Sequence, residues 1–268
     1  MAPDRTMHDI LNLESFPLDR PGSDEWLALV ERCRDDLARD GMFNLEGLMM
    51  PDVCATAAAA LAPKFATESF RHEREHNIYF TKTVQDLPED HPALARVTTS
   101  NDTLCGDQVG GSPMDRLYHW PDFAVFLAAA MGKPQLHTMA DVMAGLNVMS
   151  YREGQLLNWH FDRSEFTTTL LLQAPEAGGE FVYRTDLRSD GDPNYDGVAR
   201  LLRGEDPLMQ VMAVRPGTLN VFRGKNTPHK VSPVRGGRAR IIAVFSFFDR
   251  PGVSFTDEER IGFYGRAA

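Results

Sequence analysis

The stretch His160-Phe161-Asp162 is matched far downstream by a third side chain able to bind metal, His229. In an extended strand, side chains two residues apart point the same way. His160 and Asp162 can therefore converge on one point while Phe161 turns away into packing. The third ligand must come from another strand. Two imidazoles and one carboxylate can occupy one face of a divalent metal ion and leave the other face open, a donor set typical of non-haem Fe(II) sites.

The sequence around these residues predicts a β-rich core. Short apolar segments alternate with turns, among them Gly178-Gly179 and Gly191-Asp192-Pro193. Strands are expected at 146–151, 166–173, 180–183, 217–223 and 240–248, with a short helix at 195–202. Short strands joined by turns indicate a sandwich or barrel.

The first half of the chain is predicted to be mainly helical. Ser23 is a plausible N-cap for a helix that ends at Gly41, and Pro51 and Pro121 can each begin a further helix. Residues 68–112 give no clear pattern apart from a short apolar run at 78–80. We expect one catalytic domain over 1–268: a largely helical portion (1–135), a β core carrying the metal site (136–250) and a C-terminal tail (251–268).

Composition narrows the possible partners. The 268 residues are 43% hydrophobic and 25% charged, which is ordinary for a globular protein. The net charge of −10 disfavours binding to nucleic acid. No apolar run approaches the ~20 residues that cross a bilayer, and the first residues lack a signal-peptide core. Three unpatterned cysteines favour a reducing, cytoplasmic location. The oligomeric state stays open.

A second signature follows His229. Arg238 and Arg240 precede a nearly continuous apolar strand. A cation leading into a buried strand needs a partner, and a dicarboxylate cosubstrate supplies one, because its far carboxylate can accept two hydrogen bonds from a guanidinium. Both arginines lie on the same strand face, so alternation cannot separate them. Depth favours Arg240, although both could also be surface groups at a hairpin.

With these residues the chain resembles the Fe(II)/2-oxoglutarate-dependent oxygenases. The matching text is Trp159-His160-Phe161-Asp162, then Pro228-His229-Lys230-Val231, then Arg238-Ala239-Arg240. Tyr151-Arg152-Glu153-Gly154 and Gly178-Gly179-Glu180-Phe181 are similar to the branch of free-amino-acid hydroxylases and related halogenases. The resemblance covers roughly 146–249.

The resemblance implies a mainly β protein with added helices: a double-stranded β-helix (jelly-roll, cupin-like) core with N-terminal helices packed outside. It also implies Fe(II), 2-oxoglutarate and dioxygen as cofactor and cosubstrates. His160, Asp162 and His229 would be the catalytic metal ligands, and Arg240 would bind 2-oxoglutarate. Halogenases of this kind replace the carboxylate ligand with a small residue, whereas this chain keeps Asp162. We therefore expect hydroxylation of an unactivated C–H bond in a small, amino-acid-like substrate.

Further candidates surround these ligands. Asn147 and Tyr151 share a strand face and could contact 2-oxoglutarate, although Tyr151 could equally sit at a barrel rim. Residues proposed to contact substrate are Arg74, His76, Asn77 and Arg163. Arg74 could bind a substrate carboxylate, with a solvated position as the simpler interpretation. Arg163 could face either the cleft or solvent.

Several alternatives remain open at the level of sequence. The same cofactors could support desaturation or ring closure, and the substrate could be a peptide or protein side chain. Nucleobase demethylation would require a basic surface, which the net charge opposes. A member of another class, a non-catalytic cupin-like metal-binding protein, shares the expected fold but has no need for the guanidinium of Arg240.

Overall fold

The computed structural model describes residues 5–81, 83–84 and 87–268. The helices are α1 (Arg5–His8), α2 (Asp24–Asp40), α3 (Pro51–Thr67), α4 (Pro113–Tyr118), α5 (Pro121–Ala130), α6 (Tyr195–Leu202) and α7 (Asp257–Tyr264). The strands are β1 (Met42–Leu45), β2 (Phe70–His76), β3 (Val97–Cys105), β4 (His137–Thr138), β5 (Leu146–Tyr151), β6 (Leu157–His160), β7 (Thr167–Gln173), β8 (Phe181–Tyr183), β9 (Gln210–Met212), β10 (Leu219–Phe222), β11 (His229–Val231), β12 (Arg240–Phe245) and β13 (Phe247–Phe248).

Two antiparallel sheets form the core. The larger sheet has the strand order β1-β10-β7-β12-β5-β3-β2, and the smaller has the order β6-β11-β8-β9. Every pairing within them is antiparallel. This is the double-stranded β-helix that the family resemblance implied, and a cavity lies between its two sheets, lined by residues of both.

The strands of the larger sheet send alternate side chains to two different environments. On β12, Ile241 and Ala243 belong to the main hydrophobic core, whereas Arg240 and Ile242 line the cavity. The same period of two runs through β5 and β7. The apolar half of each strand therefore fixes the sheet against the helices, and the other half supplies the cavity wall.

Helices cover the outer face of the larger sheet. In α2 the side chain of Ser23 accepts the backbone N–H of Trp26, and Gly41 ends the helix at φ 75°, as predicted. The helices α3 and α5 begin at Pro51 and Pro121, also as predicted. Their apolar side chains join those of the strands in one core. None of the helices in the described ranges combines the length and apolar character needed to cross a bilayer.

The N-terminal portion holds more β structure than the sequence predicted. The strands β2 and β3 belong to the larger sheet and lie in the segment 68–112 that gave no clear pattern, whereas a short strand at Phe43 and Leu45, now β1, was expected. The sequence of β2, FRHEREH, lacks apolar alternation because its inward-facing side chains, His72, Arg74 and His76, are polar groups that line the cavity. The apolar run at 78–80 is a turn rather than a strand.

Two further expectations about the C-terminal part need correction. The predicted strand over 240–248 divides at Ser246 into β12 and β13, and β13 pairs with β4 instead of the larger sheet. The tail over 251–268 contains α7, whose Phe263 and Tyr264 line the cavity. Capping by Thr256 and Gly265 explains the bounds of this helix.

A buried carboxylate fastens α7 to the β core. Asp141 accepts hydrogen bonds from the backbone N–H groups of Met143 (2.9 Å) and Phe255 (3.2 Å) and from the guanidinium of Arg260 (2.8 Å). Its side chain is almost inaccessible to solvent. Burial raises its pKa, but these donors outweigh that effect and leave the pKa below its usual value.

We predict that Asp141→Ala frees α7 without unfolding the core. Amide hydrogen exchange in residues 255–264 should become at least about tenfold faster, because local opening no longer breaks these hydrogen bonds. Asp141→Asn, which keeps one acceptor oxygen, should give an intermediate rate. Unchanged exchange in Asp141→Ala would contradict this anchoring role.

Candidate metal centre

Two neighbouring strands of the smaller sheet bring the three predicted ligands together. In the antiparallel pair of β6 and β11, His160 lies directly opposite His229. Asp162 follows β6 by two residues, and its backbone N–H donates to the carbonyl of Gly224 at 3.0 Å. The carboxylate is thereby turned back toward the two imidazoles.

The three side chains present their donor atoms to one point. His160 Nε2 lies 3.3 Å from Asp162 Oδ1, and His229 Nε2 lies 3.5 Å from Asp162 Oδ2. One donor atom from each residue falls within 4.8 Å of the other two. Both histidines are buried, at 6% and 4% exposure. Such a set can bind a divalent metal ion on one face.

Backbone carbonyls orient both imidazoles. His160 Nδ1 lies 2.8 Å from the carbonyl oxygen of Asn158, and His229 Nδ1 lies 3.0 Å from that of Thr227. A carbonyl can only accept, so each Nδ1 must carry the proton. Each Nε2 then holds a free lone pair that faces the carboxylate, which is the tautomer a metal ligand requires.

The charge states also suit metal binding. Burial, together with the neighbouring His160, lowers the pKa of His229 to about 4, so this imidazole is neutral at neutral pH. Burial alone would raise the pKa of Asp162, but both imidazoles and a hydrogen bond from Thr167 hold it well below its usual range. The site therefore offers one anionic oxygen donor beside two imidazoles whose Nε2 atoms face it.

Thr167 and Gly224 support the carboxylate. The hydroxyl of Thr167 donates to Asp162 Oδ2 at 2.5 Å. A Cβ placed on Gly224 would collide with the carboxylate of Asp162 and with the hydroxyl of Thr167. The backbone at Gly224 thus leaves the space that this carboxylate occupies.

Arg240 extends into the same cavity from the larger sheet. It is 3% exposed, and its Nε donates to the carbonyl of Gly179 at 3.1 Å, while its Nη1 is buried with no partner. Burial lowers its pKa to about 10, so the group remains a cation at neutral pH. Arg238 is exposed and donates to the carbonyl of Pro175. Arg240 is therefore buried and Arg238 exposed, as expected from their positions relative to the apolar strand.

The glycine pair Gly178-Gly179 has a direct role beside Arg240. Both residues adopt positive φ, 68° and 66°. A Cβ on Gly179 would lie 3.1 Å from Arg240 Cδ and 2.8 Å from Pro175 Cγ. Only glycine lets the backbone approach closely enough for its carbonyl to hold the guanidinium.

Metal ligands and Arg240 line one cavity of about 560 Å³ between the sheets. Apolar side chains such as Met149, Leu171 and Ile242 form much of its wall. The volume is that of a typical small-molecule site. The three-residue cluster and the guanidinium of Arg240 therefore face the same enclosed space.

Tyr151 and Asn147 line this cavity on β5 but differ in their contacts. Tyr151 is 1% exposed and lies opposite Arg240, whose Cζ is 5.8 Å from the tyrosine ring centroid. Burial raises the pKa of Tyr151 to about 12, so its hydroxyl is protonated. The amide of Asn147 is already engaged, donating to the carbonyls of Met143 and Leu146 and accepting from Tyr264. Asn147 therefore positions α7.

The predicted substrate residues on β2 and the following turn separate into two groups. Arg74 faces the cavity, and its buried Nε has no partner. His76 is buried, with ring nitrogens 2.9 Å from the carbonyl of Asn77 and 2.9 Å from Thr99 Oγ1. The amide of Asn77 accepts from the N–H groups of Tyr79 and Thr81 and so shapes the turn. Arg74 alone of these three has a polar group left for a ligand.

The same turn contains a residue that sequence reasoning missed. Phe80 has φ 55°, a left-handed conformation that is strained for an aromatic residue, at a cost of about 1–3 kcal/mol. Its ring stacks on His76 at 4.6 Å and lies 6.1 Å from the ring of His160. Nothing in the sequence pattern signals the positive φ of Phe80.

Arg163, the last of the predicted substrate residues, is exposed, and its guanidinium pairs with the carboxylate of Glu259 in α7 at 3.0 Å.

We predict that Thr167→Val weakens metal binding about 10- to 100-fold, because the carboxylate of Asp162 loses the donor that orients it while the side-chain shape is kept. Thr167→Ser, which retains the hydroxyl, should bind metal nearly as tightly as the unaltered protein. Anaerobic competition for Fe(II) against a coloured chelator measures both. Equal affinities for the valine and serine variants would exclude this role.

The chain is also similar to known proteins, both in sequence and in fold. The sequence profile of the Halogenase D family matches residues 27–255. No curated protein matches the chain closely enough to be reported as a relative.

Three solved structures show the same fold at low identity. The non-haem α-ketoglutarate-dependent epimerase SnoN from nogalamycin biosynthesis is 16% identical, with a TM-score of 0.57 and 83% of each chain covered. The carbocyclase SnoK from the same biosynthesis is 13% identical, with a TM-score of 0.56 over 86% of this chain and 90% of that one. A Pseudomonas putida prolyl-4-hydroxylase is 18% identical, with a TM-score of 0.51 over 81% and 97%.

The family match spans most of the chain, and the fold and the His-Asp-His cluster agree with it. Fe(II), 2-oxoglutarate and dioxygen are the cofactor and cosubstrates of this superfamily. The chain belongs to the Halogenase D family, within the Fe(II)- and 2-oxoglutarate-dependent oxygenases.

Proposed function

We propose that the enzyme hydroxylates an unactivated C–H bond of a small, carboxylate-bearing substrate of the amino-acid type. One observation carries the choice of reaction: the carboxylate of Asp162 lies between the Nε2 atoms of His160 and His229, 3.3 and 3.5 Å away. This cluster supports the ligand set of an oxygenase, in which a carboxylate binds the metal beside two histidines.

In this proposal His160, Asp162 and His229 hold Fe(II) through two Nε2 atoms and one carboxylate oxygen. The bound iron supplies the oxidising chemistry, using 2-oxoglutarate and dioxygen. The chain's own task is orientation. Asn158 and Thr227 fix the imidazoles through their carbonyls, and Thr167 fixes the carboxylate. The apolar cavity wall limits the access of water to the reacting groups.

Arg240 is proposed to bind the far carboxylate of 2-oxoglutarate. Its Nη1 lies buried without a partner, and an unpaired buried donor of this kind is costly unless a ligand satisfies it. The protonated hydroxyl of Tyr151 can supply a further donor from the neighbouring strand. The backbone carbonyl of Gly179 holds the guanidinium in place before 2-oxoglutarate arrives.

Arg74 supports a substrate that carries a carboxylate. Its guanidinium lies 4.6 Å from the ring centroid of Phe80, which in turn lies 6.1 Å from the ring of His160. A carboxylate on Arg74 would thus place the rest of a small molecule next to the proposed iron. An amino acid or one of its derivatives fits this arrangement.

Halogenation is the second candidate function, because the matching family carries that name. A halide would need the coordination position that Asp162 occupies. Thr167 and Gly224 hold the carboxylate firmly in that position, by a hydrogen bond and by the space beside the glycine. The structure of this member of the family therefore favours hydroxylation.

We predict that Arg240→Gln raises the KM for 2-oxoglutarate about 10- to 100-fold, because a charge-assisted hydrogen bond contributes roughly 1.5–3 kcal/mol. Arg238→Gln is the matched control, since that side chain is exposed on the same stretch of chain, and it should leave the KM unchanged. Substrate-stimulated succinate release measures both. A larger increase in KM for Arg238→Gln than for Arg240→Gln would mean that Arg238, and not Arg240, binds the carboxylate of 2-oxoglutarate.

We predict that the product gains one oxygen atom, even with chloride present. Small carboxylic acids and amino acids are screened for stimulation of succinate release, and product masses are recorded. Asp162→Ala should abolish turnover, whereas His119→Ala, at an exposed histidine, should retain it. A chlorine isotope pair would contradict the proposal, and a loss of two hydrogens would replace hydroxylation by desaturation or ring closure.

A further inference from the structure

The cavity rim contains a group of charged and aromatic side chains that the iron chemistry does not use. We call Arg74, Phe80, Arg163, Phe263 and Glu259 the rim cluster. The guanidinium of Arg74 lies 4.6 Å from the ring centroid of Phe80 and 5.6 Å from that of Phe263. The guanidinium of Arg163 lies 5.6 Å from the same Phe263 ring. The two cations therefore flank one aromatic side chain of α7.

Within this cluster only Arg163 has an acidic partner. Its Nη1 lies 3.0 Å from Glu259 Oε1. Arg74 makes no ion pair and no side-chain hydrogen bond with any described residue, and its Nε is buried. Burial and then the nearby Arg163 lower the pKa of Arg74, although a guanidinium stays charged in proteins. The aromatic faces hold the cation in place but leave its N–H groups free.

The other charges that line the cavity are already balanced. Among the described lining residues, the acids are Glu75 and Asp162. Glu75 Oε1 lies 3.0 Å from Arg96 Nε, and Asp162 lies between the two histidines. Arg240 is assigned to 2-oxoglutarate. One positive charge, that of Arg74, is left for the substrate, and no described acid that lines the cavity is left for an ammonium group.

This imbalance contrasts with the rest of the molecule. The whole chain has a net charge of −10, yet four arginines line the cavity. A low-dielectric cleft of this kind concentrates anions and repels cations. A zwitterionic or cationic amino acid would place its ammonium in a cavity whose described lining offers it no free carboxylate.

We propose that the substrate is a net anion: an amino-acid derivative whose amine is acylated or otherwise uncharged, or an amino acid with a second acidic group. Its carboxylate binds Arg74, and Arg163 is the second cation, available to a further acidic group in competition with Glu259. Phe80 and Phe263 pack against its apolar part. The inference rests on the proposed oxygenase function and specifies the substrate class of that same site.

The test compares matched probes on the Mn(II)-loaded full-length protein with 2-oxoglutarate present. The probes are leucine and N-acetyl-leucine, lysine and Nα-acetyl-lysine, and glutamate and glutamine. Binding is followed by calorimetry, which does not depend on turnover. We expect the more negative member of each pair to bind at least about tenfold more tightly, because its additional charge or lost ammonium suits the unpaired guanidinium.

Variants locate the effect. Arg74→Gln should weaken the binding of the favoured probe at least about tenfold, and Arg74→Lys should restore part of it. Arg71→Gln is the matched control on the opposite face of β2, where Arg71 contacts Glu73 and Asp102, and it should not alter probe binding. Circular dichroism establishes that each variant is folded.

Three outcomes would overturn the inference. They are tighter binding of the zwitterionic or cationic member of a pair, unchanged probe affinity in Arg74→Gln, and no detectable binding of any anionic probe. Affinity for 2-oxoglutarate alone, measured before a probe is added, reports on Arg240. Retained 2-oxoglutarate binding alongside any of these outcomes would reject the substrate class and leave the oxygenase assignment intact.

Discussion

The antiparallel pairing of β6 with β11 is the constraint on which the site depends. It places His160 directly opposite His229, with ring centroids 4.1 Å apart. Because side chains repeat every two residues along a strand, a register shift of one position would turn one imidazole to the other face. The backbone carbonyls that orient both rings lie two residues before each histidine, so the same backbone sets position and tautomer together.

Much of this site could be predicted from sequence because its residues occupy regular positions. His160 and Asp162 have the spacing at which strand side chains converge, and Arg240 directly precedes a buried apolar run. The capped helix α2 and the helices that begin at Pro51 and Pro121 could also be predicted from the sequence. Local chemistry determined each of these features.

The remaining features depend on contacts distant in sequence. The polar sequence of β2 concealed a strand because its inward face lines the cavity instead of packing in a hydrophobic core. Asn147 looked like a ligand contact, but its amide is engaged by Tyr264, which lies 117 positions away. The left-handed Phe80 and the placement of α7 beside Arg74 follow from tertiary packing, which periodicity cannot reveal.

An anaerobic crystal structure with Fe(II) and 2-oxoglutarate bound would test the assigned metal centre directly. We expect one iron bound by the Nε2 atoms of His160 and His229 and by Asp162, with the far carboxylate of 2-oxoglutarate on Arg240. Iron bound without Asp162, or a 2-oxoglutarate carboxylate that leaves Arg240 unpaired, would contradict this assignment.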